Sequence, residues 1–138
     1  MDLAKQYRAY IACLNARRWH DLGNFVDNSV QYNGELVGLA GYQAMLENDV
    51  RIIPDLRFKI DMLVVEAPQV ASRLLFDCSP QGRFLGLDTH GQRLTFSENV
   101  FYTFYEEKIA CVWSVIDKAA VERALLCEGA AAASNGGT

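Results

Sequence analysis

The chain has 138 residues, enough for one domain and too few for two ordinary ones. Hydrophobic residues make up 51% and charged residues 22%, a balance that excludes wholesale disorder. Lys plus Arg is 13 and Asp plus Glu is 17, a formal charge of −4 with no basic stripe, which argues against a nucleic-acid partner.

No apolar run approaches the roughly 20 residues that span a bilayer, so no membrane partner is expected. The stretch Met1 to Tyr7 lacks the basic and then apolar pattern of a secretion signal. Cys13, Cys78, Cys111 and Cys127 are scattered and form no C-x-x-C pair. Reduced, buried thiols and a cytoplasmic location are therefore expected. With only His20 and His90, a His-rich metal site is excluded by count.

Asp2 can cap a first helix in which Leu3, Tyr7, Tyr10, Ile11 and Leu14 share one face, running to about Arg18. Asp21 can cap a short second helix through Leu22, Phe25 and Val26. Ser29 to Asn33 reads as a short strand, ended by the Asn33-Gly34 turn. A third helix follows Gly38 and Gly41, from about Tyr42 to Ile52, with Met45, Leu46 and Ile53 on one side, and Pro54 stops it. The period then changes to two. Leu56, Phe58, Ile60 and Met62 alternate with charged residues, and Val70 to Cys78 is the next strand. Ser79 to Gly91 is loop-like. Arg93 to Tyr105 is a long aromatic and β-branched strand, and Ile109 to Ile116 is the last one. Asp117 begins a final helix to about Leu126. A single domain over 1–127 and a frayed, low-complexity tail over 128–138 are expected. Helices followed by consecutive antiparallel strands predict an α+β fold with helices on one face of the sheet and a ligand cavity between them.

Several segments carry a family resemblance. They are Ala40-Gly41-Tyr42, Ile53-Pro54-Asp55-Leu56-Arg57-Phe58, Gly82-Arg83-Phe84-Leu85-Gly86-Leu87, Gly91-Gln92-Arg93-Leu94-Thr95-Phe96, and Lys108-Ile109-Ala110-Cys111-Val112-Trp113 followed by Asp117. In this order and spacing the chain resembles the SnoaL-like polyketide cyclase and ester cyclase group of the nuclear transport factor 2-like superfamily, from about Lys5 to Leu125. The resemblance implies a cone-shaped, cystatin-like α+β fold, with N-terminal helices packed on a strongly curved, mostly antiparallel sheet. It implies a homodimer formed through the sheet's outer face. It also implies ring closure by intramolecular aldol condensation without metal or organic cofactor, driven by an Asp on the last strand and a His on the strand before it. Those two positions correspond to Ser114 and Val100 in this chain. Serine and valine supply no acid or base at neutral pH.

Alternation on the long strand puts Glu98 and Tyr102 on the face of Val100. Glu98 then reads either as the replacement base, with Ser114 beside it, or as a solvated charge near a strand end. Tyr102 reads as a hydroxyl donor to an enolate oxygen or as a core aromatic. Asn33 can offer its amide to a ligand or serve the turn. His90 can reach a cavity mouth or sit on a surface loop. Asp117 fits a helix cap, and Trp113 a structural role. A bulge near Val100 would bring Asn99 into the cavity in place of Glu98.

Two functions follow. One is a cyclase or isomerase acting without cofactor on a small apolar carbonyl compound. The other is a non-catalytic small-molecule-binding or dimeric scaffold module. An epoxide hydrolase or dehydratase variant would want a carboxylate–Arg or His–Asp cluster in the cavity, for which Arg73 with Asp77 is the one pair in view.

Overall fold

A computed structural model describes residues 2–126. The expected tail at 128–138 lies outside the described residues.

Helix α1 (Leu3–Asn15) begins where the Asp2 carboxylate accepts from the Lys5 backbone N–H at 3.1 Å. Its buried face is Leu3, Tyr7, Tyr10, Ile11 and Leu14, as the spacing predicts. It stops three residues before Arg18 because Arg17 turns left-handed (φ 59°), where its guanidinium can reach the Leu14 and Leu56 carbonyls. The expected second helix is a 3-10 segment, Trp19–Asn24. Val26 already belongs to strand β1 (Val26–Tyr32), which starts earlier than the polar Asp27-Asn28-Ser29 run suggests. After the short β2 (Glu35–Leu36), helix α2 spans Gly38–Ile52. It begins four residues before Tyr42. Gly38 opens it at φ +70°, and a Cβ there would sit 3.3 Å from the Asn28 carbonyl oxygen, so glycine marks a close approach rather than a loop.

Then come β3 (Lys59–Glu66), β4 (Gln69–Cys78), the small hairpin β5 (Arg83–Phe84) and β6 (Leu87–Asp88), β7 (Leu94–Tyr105) and β8 (Lys108–Ile116). Helical backbone resumes at 118–126, capped by the Asp117 carboxylate, which accepts from the Ala120 N–H at 3.1 Å. No helix among the described residues is long and apolar enough to cross a membrane.

The main sheet has six strands in the order β2-β1-β8-β7-β4-β3, and only β1–β8 is parallel among them. The fold is α+β, but the strongly curved, cone-shaped sheet expected from the resemblance is not formed. The sheet is open, with β2 and β3 as edges at opposite ends. Its helix-facing side is filled by side chains such as Tyr102, Leu74, Phe76 and Phe96, which pack with Tyr7, Tyr10 and Leu14 of α1 into one core cluster. Burying an aliphatic or aromatic side chain of this size stabilises the fold by about 1.5–3 kcal/mol.

The register of β7 positions the site. Pairing with β4 runs without a shift from Gln69↔Thr103 to Cys78↔Leu94. Pairing with β8 shifts only between Thr103 and Phe104. No bulge falls near Val100, so Glu98, Val100 and Tyr102 face the helices and Asn99 faces outward.

Candidate functional site

Two adjoining compartments lie between α2 and the sheet. The inner one, about 50 Å³, reaches Tyr10, Leu14, Tyr42, Val100, Tyr102 and Val112. The outer one, about 120 Å³, is walled by Phe58, Phe76, Phe84, Phe96 and Ile116. Tyr32, Met45, Asp49, Phe58 and Glu98 line both. The aromatic wall is a continuous row: ring centroids lie 5.5 Å apart for Phe58–Phe76, 5.2 Å for Phe76–Phe96 and 5.3 Å for Phe84–Phe96. Phe84 is carried by the β5–β6 hairpin. That hairpin is anchored by buried Thr89, whose hydroxyl lies 3.0 Å from the Pro80 carbonyl and 2.7 Å from that of Gly82.

Glu98 on β7 is half-buried where the compartments meet. The Ser114 hydroxyl on β8 donates to its carboxylate. Burial pushes this carboxyl up to about 7. The Ser114 hydrogen bond pulls the other way, and the charge of Asp49 adds to the rise. The deeper wall holds tyrosines. Tyr7 donates to Tyr102 at 3.3 Å, and the Tyr10 and Tyr42 hydroxyls meet at 2.6 Å. Burial raises all four, Tyr7 to about 12, so they stay protonated donors across the neutral range. The site thus joins two carboxyls, Glu98 and Asp49, to neutral hydroxyls and apolar walls. No group of three or more His, Cys, Asp or Glu able to hold a metal ion occurs among the described residues.

The family model for SnoaL-like polyketide cyclases matches residues 4–125. The chain belongs to the SnoaL-like polyketide cyclase family. A crystal structure of a SnoaL-like polyketide cyclase from Agrobacterium tumefaciens is 47% identical, covering 91% of this chain and 98% of that one, with a TM-score of 0.89. TsrD from Streptomyces laurentii (21% identity, 88% and 92% covered, TM-score 0.78) and IdmH from Streptomyces antibioticus (13%, 91% and 99%, 0.78) share the fold. No curated protein sequence matches the chain.

In this SnoaL-like chain the candidate residues divide. Glu98, Ser114, Val100 and Tyr102 come together, and three of these four line the inner compartment directly. Asn33 does not present its amide to the cavity. It is exposed, and its side chain clips the Ser114 backbone, accepting from the N–H at 2.8 Å and donating to the carbonyl at 3.3 Å. Its backbone, at φ 49°, ends β1 so that this clip extends the β1–β8 pairing. His90 is also displaced from the role considered for it. It lies exposed after β6, 3.3 Å from Asp88, and lines neither compartment. The Arg73–Asp77 pair does not form either. Arg73 bonds Asp61 at 2.6 Å and Asp77 bonds Arg93 at 2.8 Å, both across the strands and away from the cavity.

Sequence reasoning missed Asp49 and Tyr32. Asp49 continues the stripe Tyr42, Met45, Leu46 at i+7, a spacing that places an acid on the cavity side of α2. It remains exposed at the mouth, where the protein atoms crowding it push its carboxyl up to about 6. Tyr32 shares the β1 terminus with Asn33 and lines both compartments.

Proposed function

We propose that this SnoaL-like chain is an acid/base enzyme, a cyclase or isomerase that works without cofactor on a small, apolar, neutral carbonyl compound. The observation that carries it is Glu98, hydrogen-bonded to Ser114 and facing an apolar cavity. Glu98 would take a proton from the carbon beside a carbonyl, and Ser114 would hold its carboxylate in place. Accepting from Tyr7 leaves the Tyr102 hydrogen free to meet the developing enolate oxygen. The aromatic row suits a flat, unsaturated ligand. Exchange of the acidic C–H of ethyl benzoylacetate in D2O, followed by proton NMR, tests this. Wild type should exceed the buffer rate and Glu98→Gln should fall to it; equal rates in the two proteins would remove Glu98 from the chemistry.

A second reading, a non-catalytic binding module, is favoured by the resemblance, which puts the family acid/base positions at Ser114 and Val100. Native mass spectrometry of freshly purified protein would then find an unmodified ligand, with no exchange on the probe. In either case we propose a homodimer through the outer sheet face, where Met62, Val64, Phe101, Trp113 and Val115 are exposed.

A further inference from the structure

Enolisation uses two proton sites: a base for the carbon and a donor for the oxygen that receives the electron pair. Asp49 lines both compartments, as Glu98 does, and faces it from the opposite wall, helix against sheet. No Lys, Arg or His lines either compartment, so no cation holds the two carboxyls ionised together. The other titratable groups facing the pair are Tyr10 from α1, Tyr32 from β1, Tyr42 from α2 and Tyr102 from β7. Burial keeps all four protonated. Glu98 is half-buried while Asp49 touches solvent at the mouth, so Asp49 is the member that exchanges protons with water.

Resting on the acid/base reading above, we propose that Asp49 is a second catalytic carboxyl, the acid partner of Glu98 on the opposite wall of the cavity. In the forward step the Glu98 carboxylate takes the proton from the carbon beside the carbonyl. The C–H pair becomes the C=C bond, the C=O π pair moves to oxygen, and the Asp49 carboxylic acid protonates that oxygen. In ring closure the enol carbon attacks a second carbonyl, whose oxygen takes the proton from Glu98, while the enol O–H returns its proton to Asp49. Both groups reset and the substrate is isomerised with no co-reactant. The working state is the minor arrangement of the singly protonated pair, with the proton on Asp49, because Glu98 holds its proton up to about 7 and Asp49 only up to about 6; activity depends on the pair's titration rather than on either residue alone.

The test is C–H exchange of ethyl benzoylacetate across pH for wild type, Asp49→Asn and Glu98→Gln, with Glu98 titrated directly by carbon-13 NMR of labelled glutamate. Wild type should give a bell-shaped profile. Asp49→Asn should be at least tenfold slower, keep only the rising limb, and move the Glu98 midpoint to lower pH because a neighbouring negative charge is gone. Asp49→Asn removes a carboxyl that the fold holds above its ordinary range, so at neutral pH the variant should melt no lower than wild type. Wild-type rate and profile in Asp49→Asn would overturn the role of Asp49 and leave Glu98 standing. A wild type no faster than buffer would overturn the enzymatic reading and the acid role with it.

Discussion

At Glu98, burial and the nearby Asp49 charge favour the protonated form, while the Ser114 hydroxyl favours the carboxylate. The folded chain keeps that proton up to about 7, whereas an ordinary glutamate loses it near 4.5. Between those values the folded state binds more protons than the unfolded one, so stability falls as pH rises through the window. Glu98→Gln removes the penalty. At pH 8 the variant should be more stable than wild type by about 1–3 kcal/mol, measured by urea unfolding, with the difference shrinking below pH 5. A variant less stable at pH 8 would contradict this account. Ser114→Ala removes the donor that favours the carboxylate, so the low-pH limb of activity should move up by about one pH unit. An unmoved limb would mean that the hydroxyl does not set the charge of Glu98. Glu98, Val100 and Tyr102 were legible because side chains alternate along a strand, and an unbulged register preserved that alternation. Asp49 was not, because an acid on a helix reads as solvated unless the neighbouring apolar stripe is counted through it.

The long strands were the most readable elements. β4, β7 and β8 match their expected spans to within one residue, because long runs of β-branched and aromatic residues bounded by turn residues mark their ends, and in β4 the alternation leaves one pleat that buries the apolar set. Short segments were harder. Leu56 and Phe58 bury their side chains before β3 begins, as core contacts do not require ladder pairing. The parallel β1–β8 pairing has no local signal at all, being a contact between the two ends of the chain. Asn33 is the clip at the end of that pairing. Asn33→Gly keeps the left-handed backbone open to the residue but loses both side-chain bonds to Ser114, and should cost about 1–2 kcal/mol in urea unfolding. Asn33→Ala should cost more than the glycine variant, since it keeps a Cβ at positive φ without the side-chain bonds that offset it. Equal costs would mean that the backbone conformation relaxes when the clip is gone.

Across the whole molecule, the two sides of the sheet differ in how they are covered. Helices pack on one side. The other carries Phe101 directly across from Trp113, beside exposed Val115 and Met62. On the homodimer proposed above, Trp113→Asp should keep the fold and shift sedimentation from dimer to monomer. A wild-type chain already sedimenting as a monomer at micromolar concentration would remove the dimer. The same tryptophan has an optical consequence. The chain contains two tryptophans, and Trp19 packs half-buried against the core while the Trp113 ring rests by Gly34 with 53% of its surface open. Acrylamide quenching should thus resolve a shielded and an accessible emitter. As protein concentration rises, a covered sheet face would shield the accessible emitter and turn its emission bluer, so intrinsic fluorescence reads out assembly without any attached dye.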